Sequence, residues 1–129
     1  MIMFSVAGTP VPQGSMVIMK GRIRHSDSDR LNGWRNDVAG ECAKAMRIGD
    51  LPQWKPWEGP MALVLYFHYQ GSPGVPKSTA PDLDKLVRAV LDALTGVLYV
   101  DDKQVTRINC RKVYGADKSG LVVTAEMDT

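Results

Sequence analysis

The chain has little of what several function classes require. No apolar run approaches the roughly 20 residues of a membrane-spanning helix, so no membrane role is expected. The opening MIMFSVAGTP lacks a basic stretch followed by a long apolar one, so no signal peptide is expected and the cytoplasm is the expected location. Cys42 and Cys110 are too few and too far apart for a zinc site or a disulfide framework, and they read as reduced, buried thiols. His25 and His68 show no metal-ligand spacing, and His68, inside an apolar stretch, reads as a hydrogen-bonded core or interface residue. The net charge of +2 argues for no partner by itself. Internal repeats and low-complexity tracts are absent.

What is present suffices for one domain over residues 1–129, with 44% hydrophobic residues to build a core. The strand-like stretches are IMFSVAG, MVIMKGRIRH (a hairpin turning at Lys20-Gly21), MALVLYFHY, VTRINCRKVY and LVVTAEM, the last two joined by GADKSG as a hairpin loop, and VLYV reads as a short strand or an extended piece. MALVLYFHY is apolar almost throughout, which predicts a central strand covered on both faces. A first helix follows from Leu31, Trp34, Val38, Cys42 and Ala45, capped by the Ser/Asp cluster before it and stopped at Gly49. A second follows from Leu83, Leu86, Val87, Val90, Leu91 and Leu94, ending at Gly96. The order predicts an α+β fold: a small mixed β-sheet with two main helices packed on it, in two layers.

The charges are unevenly placed. Lys20, Arg22, Arg24, Arg30 and Arg35 stand against Asp27 and Asp29, and Lys103, Arg107, Arg111, Lys112 and Lys118 stand against Asp117. Arg22 and Arg24 share a strand face, as do Arg107 and Arg111. These segments suit a polyanion held by its backbone, or equally a pair of solvated faces. Trp54 and Trp57 read as packing under a loop, with base stacking as the other option.

Between the basic segments lies PDLDKLVRAVLDALTGVLYVDDKQV, with five aspartates. Asp84, Arg88 and Asp92 recur at four along the second helix, which alone reads as an ion-pair ladder. Thr79 to Asp82 matches a capping box, and Asp101-Asp102 matches a turn. A different reading joins them. In an extended chain Asp82 and Asp84 point the same way. A helix of about a dozen residues spans about 18 Å, and GVLYV, if extended, covers about 16 Å on the way back. Asp101 and Asp102 then return beside Asp82 and Asp84, and such a cluster of like charges calls for a hard divalent cation, Mg²⁺ or Mn²⁺. Carboxylate-held Mg²⁺ beside basic segments is an apparatus for cutting phosphodiesters.

These residues carry a resemblance. PDLDKLVRAVLDALTGVLYVDDKQV resembles the RusA family of Holliday-junction resolvases, with its D-x-D at a helix start and an acidic pair after the helix, and GWRNDVAGECAKAM resembles that family's first helix. The resemblance implies a homodimeric, Mg²⁺- or Mn²⁺-dependent crossover junction endodeoxyribonuclease of a bacterial cell, often phage- or prophage-encoded. Such an enzyme cuts two opposing strands of a four-way DNA junction symmetrically, in recombination and repair. It implies catalytic, metal-holding roles for Asp82, Asp84 and Asp102, with Asp101 as the stand-in if the register slips, and a basic cleavage residue at Arg88. Three departures accompany it: Lys85 where Asn is common, Arg88 where Lys is common, and a helix-to-acidic-pair link about one residue short. Arginine stays protonated, so Arg88 can stabilise charge but not trade protons, and Lys85 is the alternative amine. Arg22, Arg24, Lys77, Lys103, Arg107 and Arg111 are the expected phosphate contacts. MALVLYFHY and MVIMKGRIRH are the candidate dimer surfaces. The competing readings are a branched-DNA nuclease preferring flaps or forks, and a junction- or single-strand-binding protein without catalysis.

Overall fold

The structure, a computed structural model, describes residues 1–14, 16–19, 22–25, 28–48, 55–115 and 117–129, with side chains described except at 16–19, 22–25, 28 and 48. The strands are β1 (Ile2–Ala7), β2 (Met16–Met19), β3 (Arg22–His25), β4 (Met61–Gln70), β5 (Val105–Gly115) and β6 (Gly120–Met127), and the helices are α1 (Ser28–Ile48) and α2 (Leu83–Leu94). Four strands form a mixed sheet in the order β1-β6-β4-β5, and β2 pairs with β3 as a separate antiparallel ladder. The predicted α+β architecture of a small mixed sheet and two helices is what the chain adopts. The Lys20-Gly21 turn, Gly49 and Trp54 lie outside the described residues.

Period-two patterning sets the sheet. Ile2, Phe4 and Val6 of β1 are buried, as are Met61, Leu63, Leu65, Phe67 and Tyr69 of β4. Against this face lie Leu31, Trp34, Val38, Cys42 and Met46 of α1 and Leu86, Ala89, Val90, Ala93 and Leu94 of α2. Met46 is fully buried where the periodicity placed Ala45, which is only half-buried.

Three expectations are corrected. GADKSG does not close a hairpin, because β4 lies between β5 and β6, antiparallel to β6 and parallel to β5. The most apolar strand takes the middle, and the polar β5 takes an edge. A parallel neighbour needs a crossover, and α2 supplies it. VLYV is no strand: Gly96, at φ 83°, turns the chain, its N–H bonds the Tyr99 carbonyl at 2.7 Å, and Leu98 and Tyr99 are buried in the turn. Finally, β4 is central but not covered on both faces. On the face away from the helices, the register sets Met3, Thr124, Val64 and Asn109 in one row and Ser5, Val122, Tyr66 and Arg111 in the next. Met3 is 67% and Val64 46% exposed there.

Candidate active site

The site grows from the outer flank of α2. Its inner stripe is fixed by the core, so Asp84, Arg88 and Asp92, one turn apart, emerge together on the solvent side, with half-buried Val87 and Leu91 beside them. A cavity of about 660 Å³ opens over this flank, lined by Gln13, Gly14, Asp84, Lys85, Val87, Arg88, Leu91, Asp92 and Asp102.

Asp102 reaches the cavity from the far side of the Gly96 turn. A 3₁₀ turn, Asp102–Gln104, is capped by Asp101, whose carboxylate accepts a bond from Lys103 N at 3.0 Å. That bond holds the Asp101 carboxyl below its ordinary value. The Gln104 side chain closes the turn: its Oε1 accepts from Val100 N and Asp101 N, each at 2.9 Å. Its Nε2 donates to the carbonyls of Trp57 at 2.9 Å and Gly59 at 3.0 Å. Asp101 is therefore spent on the turn, and Asp102 is the member of the pair that lines the cavity.

Asp82 stands apart. It is the extended residue before the first turn of α2 (φ −69°, ψ 133°), makes no capping bond, and lies 3.6 Å from Lys85 Nζ. The Thr79 capping box does not form; Thr79 Oγ1 accepts instead from Lys77. Because Leu83 opens the helix, Asp84 is already helical and does not share a strand face with Asp82. Among the described residues no group of three or more histidine, cysteine or acidic side chains is gathered as a metal cage. The cavity brings together Asp84 and Asp102, eighteen positions apart in the chain, with Asp92 as a third lining carboxylate.

Asp92 is held by Arg35 of α1 at 3.2 Å, and Arg35 also donates to the Gln13 side-chain oxygen. Gln13 N bonds the Lys85 carbonyl at 3.0 Å, so the loop after β1 is stitched to both helices as one wall of the cavity. The expected ladder along α2 therefore does not form. Arg88 faces the cavity with no hydrogen-bond or ion-pair partner among the described residues. The sequence alone does not point to Gln13, Arg35, Asp92 and Gln104 as site residues. Gln104 had a signal, Asp101-x-x-Gln104 being a capping box, and Arg35 had none, because its partners come from distant segments.

The expected phosphate contacts divide. Lys77 Nζ donates to Thr79 Oγ1 at 2.6 Å and sits 5.3 Å from the ring centres of Tyr69 and Tyr114. Arg107 pairs with Asp128 at 3.2 Å. Lys103 and Arg111 are exposed. Arg22 and Arg24 lie on β3, and their side chains are outside the described residues. His68 Nδ1 lies 3.1 Å from the Lys118 carbonyl, as expected of a hydrogen-bonded residue. Cys42 is buried, which pushes its thiol up to about 12, whereas Cys110 is only half-buried. Trp57 packs half-buried against the core, as expected of a residue under a loop.

No helix is long and apolar enough to cross a membrane among the described residues. No curated protein sequence matches the chain. The family model described as Endodeoxyribonuclease RusA matches residues 7–126. That span takes in both helices, the cavity on the outer flank of α2 and the turn that carries Asp102, so the chain as a whole, and not only its acidic motif, belongs to the RusA endodeoxyribonuclease family.

Proposed function

We propose that this member of an endodeoxyribonuclease family is a Mg²⁺-dependent, homodimeric resolvase that cuts four-way DNA junctions by paired symmetric nicks in the host cytoplasm. The observation that carries the reading is the meeting of Asp84, Asp102 and Arg88, which has no partner among the described residues, on one solvent-open cavity. The donor set fits the cation. Mg²⁺ prefers oxygen ligands, keeps several waters, and is commonly bound through one or two carboxylates plus substrate phosphates. Two cavity carboxylates meet that need without a closed protein cage. Mn²⁺ would serve by the same chemistry.

When bound, the cation lowers the pKa of a coordinated water and offsets charge on the scissile phosphate. Asp84 and Asp102 are its proposed ligands. Asp82, which the family resemblance also makes essential, pairs with Lys85 and would add negative charge beside the site. As an arginine, Arg88 offers fixed positive charge and forked donors, so its part is to bind and neutralise phosphate oxygens as the bond breaks. Exposed Lys103 and Arg111, with Arg22 and Arg24 on the β2–β3 ladder, would carry the junction arms.

Two copies follow from the task, since a junction nicked once is not resolved and a two-fold dimer presents two matched sites. Met3 on β1 and Val64 on β4, exposed on the sheet face turned away from the helices, are candidate apolar contacts for the second copy, which would leave the β5 edge with Arg111 to DNA. The deciding assay is cleavage of an end-labelled four-way junction with and without Mg²⁺, alongside Asp84→Asn, with flap and linear duplexes for comparison. Symmetric, Mg²⁺-dependent nicks lost in the variant support the reading. Binding without nicking by the wild-type protein, with either cation, refutes it.

A further inference from the structure

The segment leading into α2 is fastened from the sheet by one lysine. Lys112, on β5, donates its ammonium to the carbonyls of Thr79 and Pro81, each at 2.6 Å. Its own carbonyl accepts from Lys77 N at 3.0 Å. Among the described residues Lys112 has no carboxylate partner. Of its three donors, two are spent on carbonyls that lie two residues apart and just before Asp82. Charge-assisted bonds to carbonyls are the stronger kind. A half-buried ammonium held this way, with no anion beside it, trades hydration for backbone geometry alone. The first part of the β4–α2 connection is tied to β5 by backbone bonds, among them Gly74 N to the Tyr114 carbonyl and Tyr114 N to the Val75 carbonyl, each at 2.9 Å, whereas residues 78–81, next to Asp82, form no helix or strand and are reached by the Lys112 ammonium.

We infer that Lys112 is a positioning residue for the candidate active site. It fixes the Thr79 and Pro81 carbonyls, and through them the start of α2, and so sets where Asp82 and Asp84 stand relative to Asp102. The inference rests on the nuclease reading of that site. It also takes Lys112 out of the phosphate-gripping set to which its place in a basic segment would assign it. Its neighbour Arg111, exposed and on the opposite face of β5, remains in that set.

The test pairs Lys112→Met with Arg111→Met in the full chain. For Lys112→Met, amide hydrogen exchange across residues 78–86 is expected to rise about tenfold while β4 and β6 keep wild-type rates. Mn²⁺ affinity measured by calorimetry without DNA is expected to fall about tenfold, the effect of losing an outer support of a metal site. Affinity for a four-way junction without metal should stay within about twofold with an unchanged salt slope, whereas Arg111→Met should flatten that slope by about one phosphate contact. Wild-type exchange at 78–86 with undiminished Mn²⁺ uptake in Lys112→Met overturns the inference, as does a flattened salt slope in that variant. Should Lys112→Met lose the fold, Lys112→Gln, which keeps two donors on a shorter stem, carries the same comparison. Wild-type protein that takes up no Mn²⁺ would defeat the nuclease reading instead, and the exchange arm would still decide the role of Lys112.

Discussion

Replacing Gln104 with leucine removes four hydrogen bonds while nearly preserving side-chain volume, so its effect can be worked out from the structure. Two of the bonds, to the Trp57 carbonyl and from Asp101 N, are partly buried; the other two, to the Gly59 carbonyl and from Val100 N, are solvent-exposed. Net worth near 1 kcal/mol for each partly buried bond, less for each exposed one, and a small desolvation penalty for the groups left behind give a loss of about 3 kcal/mol. For a domain of this length that corresponds to a fall in Tm of about 12 °C. The urea slope should be unchanged, since the folded surface is the same. Gln104→Glu should do no better: it retains the acceptor for the two amides but turns a carboxylate oxygen toward two carbonyls. Thermal and urea unfolding followed by circular dichroism measure both variants. A loss under about 1 kcal/mol for Gln104→Leu would mean the bonds are replaced by water at no cost, and the claim that this side chain holds the Asp102 turn would fall.

Three further outcomes are expected. Asp84→Asn and Asp102→Asn should each reduce Mg²⁺-dependent junction cutting by about 10²-fold or more, with metal-free binding kept or tightened because repulsion of phosphate falls, and Asp82→Asn should cost less if its carboxylate is only a rim charge; single-turnover cleavage of the three variants ranks them. Arg88→Met should leave stability within about 0.5 kcal/mol, since Arg88 has no partner among the described residues, while cleavage falls steeply; a Tm drop with normal cleavage would reverse its assignment. Stability should decline at alkaline pH. Burial raises the Cys42 thiol from 9.0 to about 12 and also raises the Tyr69 and Tyr99 phenols, so the folded chain holds these protons more tightly than the unfolded one. Their contribution is complete below the ordinary thiol and phenol values and is lost progressively as pH rises from those values toward the raised folded ones, which urea midpoints at pH 8 and pH 10.5 would register; equal midpoints would refute it.

The parts of this fold legible in the sequence are those governed by local periodicity. Leu83 to Leu94 reads as a helix because its apolar spacing and Gly96 agree, and the flank bearing Asp84, Arg88 and Asp92 follows from the same spacing. Strand existence is likewise written in runs such as MALVLYFHY, but strand neighbours are not. Nothing in GADKSG tells whether β6 folds back on β5 or crosses to the far side of β4, since that depends on which strand competes best for the buried centre. Composition alone suggests that both faces of β4 are covered, and Val64, 46% exposed, shows that an apolar residue of a central strand can stand in solvent.

The acidic cluster shows the same division at the level of chemistry. Adding up segment lengths assumes that each piece is regular, and it brings four carboxylates together. The chain instead spends residues on its own backbone: Leu83 already begins the helix, so Asp84 turns away from Asp82, and Asp101 is consumed as a cap because Gln104 stands three residues later. Of the two aspartates in DD, the one a turn does not need is the one left to face the cavity. Local hydrogen-bonding demand thus separates Asp101 from Asp102, a choice that segment lengths leave open and that the capping-box spacing of Asp101 and Gln104 decides. By the same logic the lysines of the basic segments need sorting before they are assigned to DNA. Lys112 and Lys77 answer to carbonyls and rings just before the site, whereas Lys103, exposed beside the Asp101 carboxylate, keeps its place among the proposed phosphate contacts.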